Sequence, residues 1–171
     1  MRALFVLTVL MSSPAFAADA GVKGPVFVAV EVLEVVDTED GIAVLLLQKE
    51  AGVVLPILIG PAEANAIKMR LEKSRPPRPM THDLLEDVIT AMGAKLLRVE
   101  IDDLKANTFL GRLVLEQRKK VTTLDARPSD SIALALGLGA PILVAQPVLE
   151  RAGLPLKGKK PARKHPVPET L

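Results

Sequence analysis

Apolar positions recur along the chain with two periods, one typical of β-strands and one typical of helices. In the first half, three apolar runs separated by short polar turns predict strands at residues 26–36, 42–48 and 53–59. Pro56 lies inside the third run and favours an edge strand or a bulge, because proline has no N–H to give to a neighbouring strand. A helical stripe then predicts a helix from Pro61 to about Ser74.

The second half repeats this order. Strands are predicted at 96–104, 109–117 and 121–126, and a helix then begins at Pro128 and is apolar on nearly every side. At an offset of 67 residues the elements of the two halves coincide, and each helix has an acid two residues after its first proline, namely Glu63 or Asp130. The pattern predicts a single α+β domain with a duplicated β-β-β-α repeat, a mainly antiparallel or mixed sheet, and packed helices.

A stiff connector and a further helix lie between the two halves. The prolines of residues 75–79 cannot continue a helix. Thr81 is the expected N-cap of the next helix, which ends at Gly93. Its apolar residues recur at helical spacing and predict an amphipathic helix; they are Leu84, Leu85, Val88, Ile89 and Met92. A short strand at 141–145 and a short helix at 147–152 follow the second repeat.

The two ends of the chain differ in composition from the domain between them. Residues 1–17 have a basic start, an apolar run too short to span a bilayer, and a small-residue cleavage site, which together predict a signal peptide. We therefore expect an exported protein, periplasmic or secreted, with no stable membrane association. Residues 18–25 are then a linker, residues 26–153 the domain, and residues 154–171 a disordered basic tail rich in Pro and Lys.

Composition limits the possible chemistry. There is no cysteine, which excludes disulfides and a thiol nucleophile. The formal net charge of +2 comes from the tail, and the domain itself is acidic, which is unusual for a domain that binds nucleic acid through a basic face. The sequence also has no glycine-rich phosphate loop and no Gly-x-Ser-x-Gly motif.

The candidate functional residues lie at the predicted helix N-termini. They form three groups: Glu63; Arg78 with Thr81, His82 and Asp83; and Asp125 with Arg127, Ser129 and Asp130. Arg127 takes the place of a capping residue and puts a cation at the positive end of the helix dipole, which is a broken local rule of the kind found at functional sites. The alternative is structural: acids in a first turn interact favourably with the dipole, and Arg78 and Arg127 pair with Asp83 and Asp130.

Two long segments are recognisable together. They are Arg78-Pro79-Met80-Thr81-His82-Asp83-Leu84-Leu85 and Asp125-Ala126-Arg127-Pro128-Ser129-Asp130-Ser131-Ile132-Ala133-Leu134-Ala135. With the segments 55–60 and 140–144, they resemble the bifunctional nuclease domain family over about residues 26–153. The resemblance implies hydrolysis of phosphodiester bonds in both DNA and RNA.

Such a hydrolase needs a base or a metal ion to generate hydroxide, and cations to stabilise the phosphoryl oxygens. We expect His82 to be the base, since the first turn of a helix favours the neutral imidazole, with Arg78 and Arg127 as further catalytic residues that clamp the phosphate. Thr81 and Ser129 are the expected substrate-binding hydroxyls. The expected cofactor is a divalent cation, Mg²⁺ or Mn²⁺, held by Asp125, Asp130, Asp83 and Glu63.

The expected partners are nucleic acid and a second copy of the chain, since edge strands need covering. Beyond the signal peptide the only aromatic residues are Phe27 and Phe109, so base stacking is nearly absent and little sequence preference is expected. The rival interpretation is a non-catalytic periplasmic structural or ligand-binding module, in which the same residues are helix caps and ion pairs. A third is an RNA-binding module that depends on residues 155–171.

Overall fold

A computed structural model of the chain describes residues 24–156 and forms one mixed sheet with helices packed on it. Its elements are β1 (Phe27–Thr38), β2 (Gly41–Gln48), β3 (Val53–Ile59), α1 (Pro61–Leu71), α2 (Thr81–Ala91), β4 (Ala94–Lys105), β5 (Thr108–Gln117), β6 (Lys120–Ala126), α3 (Pro128–Leu138), β7 (Ile142–Ala145), α4 (Gln146–Ala152) and β8 (Leu154–Pro155). The predicted signal peptide, most of the linker and most of the tail lie outside the described residues. In the described part of the chain, no helix has the length and apolarity needed to cross a membrane.

The sheet order is β6-β5-β4-β7-β1-β2-β3-β8. Neighbouring strands are antiparallel except β4 and β7, which are parallel. The two three-strand units therefore lie on either side of β7, and each is followed in the chain by a helix. The fold is α+β, as the sequence predicts, and its element order is compatible with a duplicated repeat.

Helix α3 lies at the centre of the apolar core. Residues 132–135 are at most 1% exposed, as their apolar character on all sides predicts. Gly111 of β5 lets the start of α3 approach the sheet, because a Cβ there would lie 3.1 Å from the carbonyl oxygen of Ala126 and 3.5 Å from Cα of Pro128. This close approach fixes the N-terminus of α3 at the edge of the core.

The edge position predicted by Pro56 is confirmed. Pro56 lies opposite Leu45 of β2, while on the other side of β3 the short strand β8 pairs only with Val53 and Val54. The N–H that proline lacks is therefore not needed there. Strand β8 also extends the sheet to Pro155, two residues into the segment predicted as a tail.

The prediction that Thr81 caps α2 is wrong. Thr81 is the first residue of the helix and Met80 precedes it in extended conformation. The backbone N–H of Met80 donates a hydrogen bond of 2.9 Å to Oδ2 of Asp83, so the acid in the first turn stabilises the helix start instead.

The amphipathic character of α2 is confirmed, but its apolar residues are mostly exposed. Ile89 is buried, whereas Leu84, Leu85, Val88 and Met92 are exposed. This helix therefore buries one apolar residue, contacts the domain also through polar side chains such as His82 and Asp83, and presents a row of apolar side chains outward.

Candidate functional site

The candidate site begins at the N-termini of α1 and α3. Each helix starts with a proline, follows an extended residue (Gly60 or Arg127) that makes no side-chain cap, and has an acid as its third residue. The acids are Glu63 in α1 and Asp130 in α3. Because the two positions are equivalent, the two carboxylates lie near each other at the N-terminal ends of α1 and α3.

Arg127 joins the two carboxylates. Its Nε donates to Oδ2 of Asp130 at 2.7 Å, and its Nη2 donates to Oε1 of Glu63 at 2.7 Å and to Oδ1 of Asp130 at 3.1 Å. The hydrogen bonds to Asp130 and then to Glu63 raise the pKa of Arg127. A cation at this helix N-terminus is thus stabilised by two anions, and the predicted pairing of Arg127 with Asp130 is confirmed.

His82 of α2 completes the group. Its Nε2 lies 3.0 Å from Oδ1 of Asp130, and its side chain is only 13% exposed. Because an ionised carboxylate only accepts hydrogen bonds, Nε2 carries the proton when the ring is neutral, and Nδ1 is then the basic nitrogen. No hydrogen-bond partner contacts Nδ1 within residues 24–156.

The ionisation of Asp130 is governed by opposing effects. Burial raises its pKa, but hydrogen bonds from Arg127 and His82, with the charge of Arg127, outweigh burial and hold the pKa below its usual value. Asp130 is therefore anionic at neutral pH. We call the group Glu63–Arg127–Asp130–His82 the helix-start network, since it connects the first turns of α1, α3 and α2.

A second ionic group ties α1 to α2. The Arg70 guanidinium donates to Asp83 at 3.0 Å and to Glu86 at 2.9 Å, and it also donates to the carbonyl oxygen of Ala66. Asp83 therefore pairs with Arg70, and the predicted pair between Arg78 and Asp83 is wrong. Arg78 is exposed in the α1–α2 connector and makes no ion pair with any described residue.

A cavity of about 540 Å³ lies beside Arg127. Residues 56–60, at and just after the end of β3, supply one part of its lining, and Phe109 of β5 supplies another. Its polar lining consists of Asn107, Thr108, Arg127 and Ser129. The cavity is thus an apolar space with one end at the helix-start network.

The comparison with protein families decides what kind of domain this is. A family model described as the bifunctional nuclease domain matches residues 44–157, which include the whole helix-start network and the cavity lining. The chain belongs to the bifunctional nuclease domain family. The resemblance seen in the sequence is therefore confirmed.

Several individual proteins are similar in sequence to this bifunctional nuclease domain. An uncharacterised protein of Mycobacterium tuberculosis is 48% identical over 112 residues, which are 65% of this chain and 66% of that protein. Bifunctional nuclease 1 of Oryza sativa subsp. indica and a bifunctional nuclease of Oryza minuta are each 24% identical over 125 residues. This stretch is 71% of the present chain but only 38% of each rice protein, so the chain spans well under half of their length.

The four acids predicted as metal ligands are not assembled in this bifunctional nuclease domain. Glu63 and Asp130 are bound by Arg127, Asp83 is bound by Arg70, and Asp125 is exposed on β6. Within residues 24–156, no three acidic or histidine side chains are placed to hold one metal ion. The predicted ligand set therefore does not fit a metal cage in this arrangement, because arginines bind three of the four carboxylates and the fourth, on Asp125, is exposed on β6.

The predicted substrate-binding hydroxyls differ in their surroundings. Thr81 is exposed at the start of α2. Ser129 is only 8% exposed, lines the cavity, and makes no side-chain hydrogen bond with any described residue. Sequence reasoning missed the role of Phe109 in the lining. The only available signal was its scarcity as one of two aromatic residues between the ends of the chain.

Proposed function

We propose that this protein is an exported nuclease that hydrolyses phosphodiester bonds of DNA and RNA with little sequence preference. The observation that carries the proposal is the contact between His82 and Asp130 beside the guanidinium of Arg127. Membership of the bifunctional nuclease domain family supports it, as do the rice relatives that carry the same name.

His82 is the general base in this proposal. Asp130 accepts a hydrogen bond from Nε2–H and fixes the ring, which leaves Nδ1 to take a proton from a water molecule. The water oxygen then forms a bond to phosphorus while the bond from phosphorus to the leaving oxygen breaks, and the leaving oxygen takes a proton from solvent. Asp130 also stabilises the imidazolium that results, as a carboxylate does for a catalytic histidine in acyl transfer.

The phosphate contacts come from groups with unused donors. The Nη1 of Arg127 is not engaged by Glu63 or Asp130, and the first N–H groups of α3 have no partner within the helix. Arg78, which is exposed and unpaired among the described residues, adds a second cation from the connector. These donors would stabilise charge on the non-bridging oxygens.

A requirement for Mg²⁺ or Mn²⁺ stays a prediction, and the proposed steps use no metal ion because the four acids do not form a cage.

Export also stays a prediction. Sequencing the N-terminus of the protein recovered from the periplasm or medium tests it, and the expected first residue is Ala18. A first residue of Met1, or retention in the cytoplasm, would contradict export.

The activity is tested by incubating the purified chain with supercoiled plasmid and with total RNA, in Mg²⁺, in Mn²⁺ and in EDTA. His82→Ala is expected to reduce cleavage of both substrates by about 10²-fold or more, since a positioned base contributes roughly 10²–10⁴-fold. His165→Ala is the matched control, because it removes the other histidine of the chain and should leave cleavage unchanged. Arg78→Ala is compared with Arg75→Ala in the same connector.

Equal cleavage by the wild type and His82→Ala would show that His82 is not the base or that the activity comes from a contaminant. Cleavage in EDTA at the rate seen in Mg²⁺ would remove the metal requirement. Absence of cleavage by the folded wild type under every condition would contradict the proposed activity.

The second candidate is a non-catalytic structural module. It is favoured by the position of Arg127, whose charge is matched by two carboxylates from two helices. If His82 is structural, His82→Ala should lower the free energy of unfolding, and neither the wild type nor the variant should cleave nucleic acid. If His82 is catalytic, His82→Ala should remove cleavage with little change in that free energy.

We also propose that two copies of the chain associate. Strand β6 is the last strand of the sheet, and its Val121 and Leu124 are exposed. The Gln117 side chain donates to the carbonyl oxygen of Met92, which places the exposed apolar end of α2 near the same edge of the sheet. A second copy paired along β6 would cover both surfaces.

A further inference from the structure

The cavity beside Arg127 has the composition of a small-ligand site. Its volume of about 540 Å³ falls within the range of about 300–1,000 Å³ that is typical of such sites. Most of its lining is apolar, from β3 and from Phe109, and the polar groups lie in the β4–β5 turn and at the start of α3. Such a site accepts a flat apolar group and fixes its orientation with a few hydrogen bonds.

Ser129 supplies an unpaired hydroxyl to this cavity. The residue is 92% buried as the complement of its 8% exposure, and yet its hydroxyl has no hydrogen-bond partner among the described residues. Among the described residues, only Ser131 has a side-chain oxygen that is both fully enclosed and unpaired. The Ser129 hydroxyl is not enclosed in this way and remains open to the cavity that it lines. Ser129 therefore places an unpaired hydroxyl on the cavity wall, where it is available to hydrogen-bond a bound molecule.

Phe109 indicates which chemical class of molecule the cavity suits. Of the two aromatic residues in the described part of the chain, Phe27 lies against the guanidinium of Arg112 at 6.0 Å, and Phe109 lines the cavity. Phe109 and Arg127 line the same cavity, and an aromatic ring combined with a cation is an arrangement that suits a nucleobase and its phosphate. The amide of Asn107 and the hydroxyl of Thr108 add donors and acceptors for the edge of the base.

We infer that this cavity binds the base and sugar of one unpaired nucleotide whose phosphate lies at Arg127, and that the enzyme therefore acts on single strands in preference to duplexes. The inference rests on the proposed nuclease function and names its substrate class. A base inside a duplex is paired and stacked on both faces, so it cannot enter a cavity without first leaving the helix. The little stacking that the composition allows is supplied here by a single residue, Phe109.

Binding is tested first, with the full chain and with ligands that contain no phosphodiester bond. Isothermal titration compares adenosine 5′-monophosphate, ribose 5-phosphate and inorganic phosphate, in EDTA. The nucleotide is expected to bind about tenfold more tightly than ribose 5-phosphate, because stacking of one base on an aromatic ring has an effect of at least this size. Phe109→Leu keeps an apolar side chain without the ring and should remove that difference, whereas Phe27→Leu should retain it.

Equal affinity for the nucleotide and ribose 5-phosphate, or an unchanged ratio in Phe109→Leu, would overturn the inference. If Phe109→Leu does not fold, Ser129→Ala serves instead and should weaken binding of the nucleotide. If Ser129→Ala binds the nucleotide as tightly as the wild type does, the inference is overturned.

Cleavage separates this inference from the proposed function. A single-stranded oligonucleotide and its duplex are digested by wild type, Phe109→Leu and Phe27→Leu, and the preference for the single strand should fall only in Phe109→Leu. Equal rates on both substrates would overturn the cavity assignment and leave the nuclease activity standing. Nucleotide binding that depends on Phe109, without cleavage of any substrate, would uphold the cavity and reject the nuclease.

Discussion

Arg127 binds Glu63 and Asp130, which are the third residues of two helices 67 positions apart in the chain. The contact joins the first and second halves of the fold at the start of α1 and α3. It also explains why a helix can begin after an arginine: the cation that would oppose the dipole is held by the acids that the same dipole favours. The site residues are thus part of the structure that holds the two halves together.

Loss of this bridge should destabilise the domain. Glu63 is only 14% exposed, so Arg127→Ala leaves a nearly buried carboxylate facing Asp130. Because Arg127 itself is 67% exposed and screened by solvent, we expect the free energy of unfolding to fall by about 1–2 kcal/mol rather than by the larger cost of a fully buried pair. Urea unfolding measures the change, with Arg75→Ala as the control.

A double-mutant cycle identifies the cause of that loss. In a Glu63→Gln background, Arg127→Ala should cost less, because the unpaired carboxylate is no longer present. Equal costs in the two backgrounds would show that the bridge between the helices contributes nothing to stability.

Acid should remove part of the stability through Asp130. Its pKa is lowered in the folded protein, so its contribution is present above the unfolded value of about 3.9 and is lost as the pH falls through the folded value. Wild type and Asp130→Asn should therefore differ in unfolding free energy at pH 7, and the difference should shrink below about pH 4. A difference that stays constant from pH 7 to pH 3 would contradict the assignment.

Gly137 of α3 should not tolerate alanine. A glycine in a helix usually costs about 0.5–1 kcal/mol relative to alanine, so the replacement is normally stabilising. Here a Cβ at Gly137 would overlap the carboxylate of Glu86, which is the partner of Arg70. We expect Gly137→Ala to lower the thermal midpoint. Gly24→Ala, where a Cβ would meet nothing within 4 Å, should leave it unchanged, and a raised midpoint for Gly137→Ala would be the contrary result.

Self-association should depend on α2 and β6. Val88→Lys and Leu124→Lys place a charge on each exposed apolar surface and should shift the chain toward monomer in sedimentation experiments. Leu154→Lys is the matched control, since Leu154 is also apolar and exposed but lies in β8, at the opposite edge of the sheet. A monomeric wild type, or equal effects of all three variants, would contradict association along β6.

The sequence by itself determined the order and type of the elements and the family of the domain. Strand periodicity, Pro61 and Pro128 at helix starts, and the apolar surface of α3 are local features, and each is decided by a residue and its near neighbours. The candidate residues at helix N-termini were found for the same reason, since the departure from capping rules at Arg127 is visible without any structure.

Only the tertiary structure decided which of these residues meet. Asp83 and His82 are adjacent in the chain, yet Asp83 contacts Arg70 while His82 contacts Asp130, because successive residues of a helix point in different directions. Glu63, Arg127 and Phe109 come from three distant elements, and their positions follow from how α1 and α3 pack on a twisted sheet. Packing geometry depends on the whole core, so spacing along the sequence could predict the local pair of Arg127 and Asp130 but not the partners that lie on other elements.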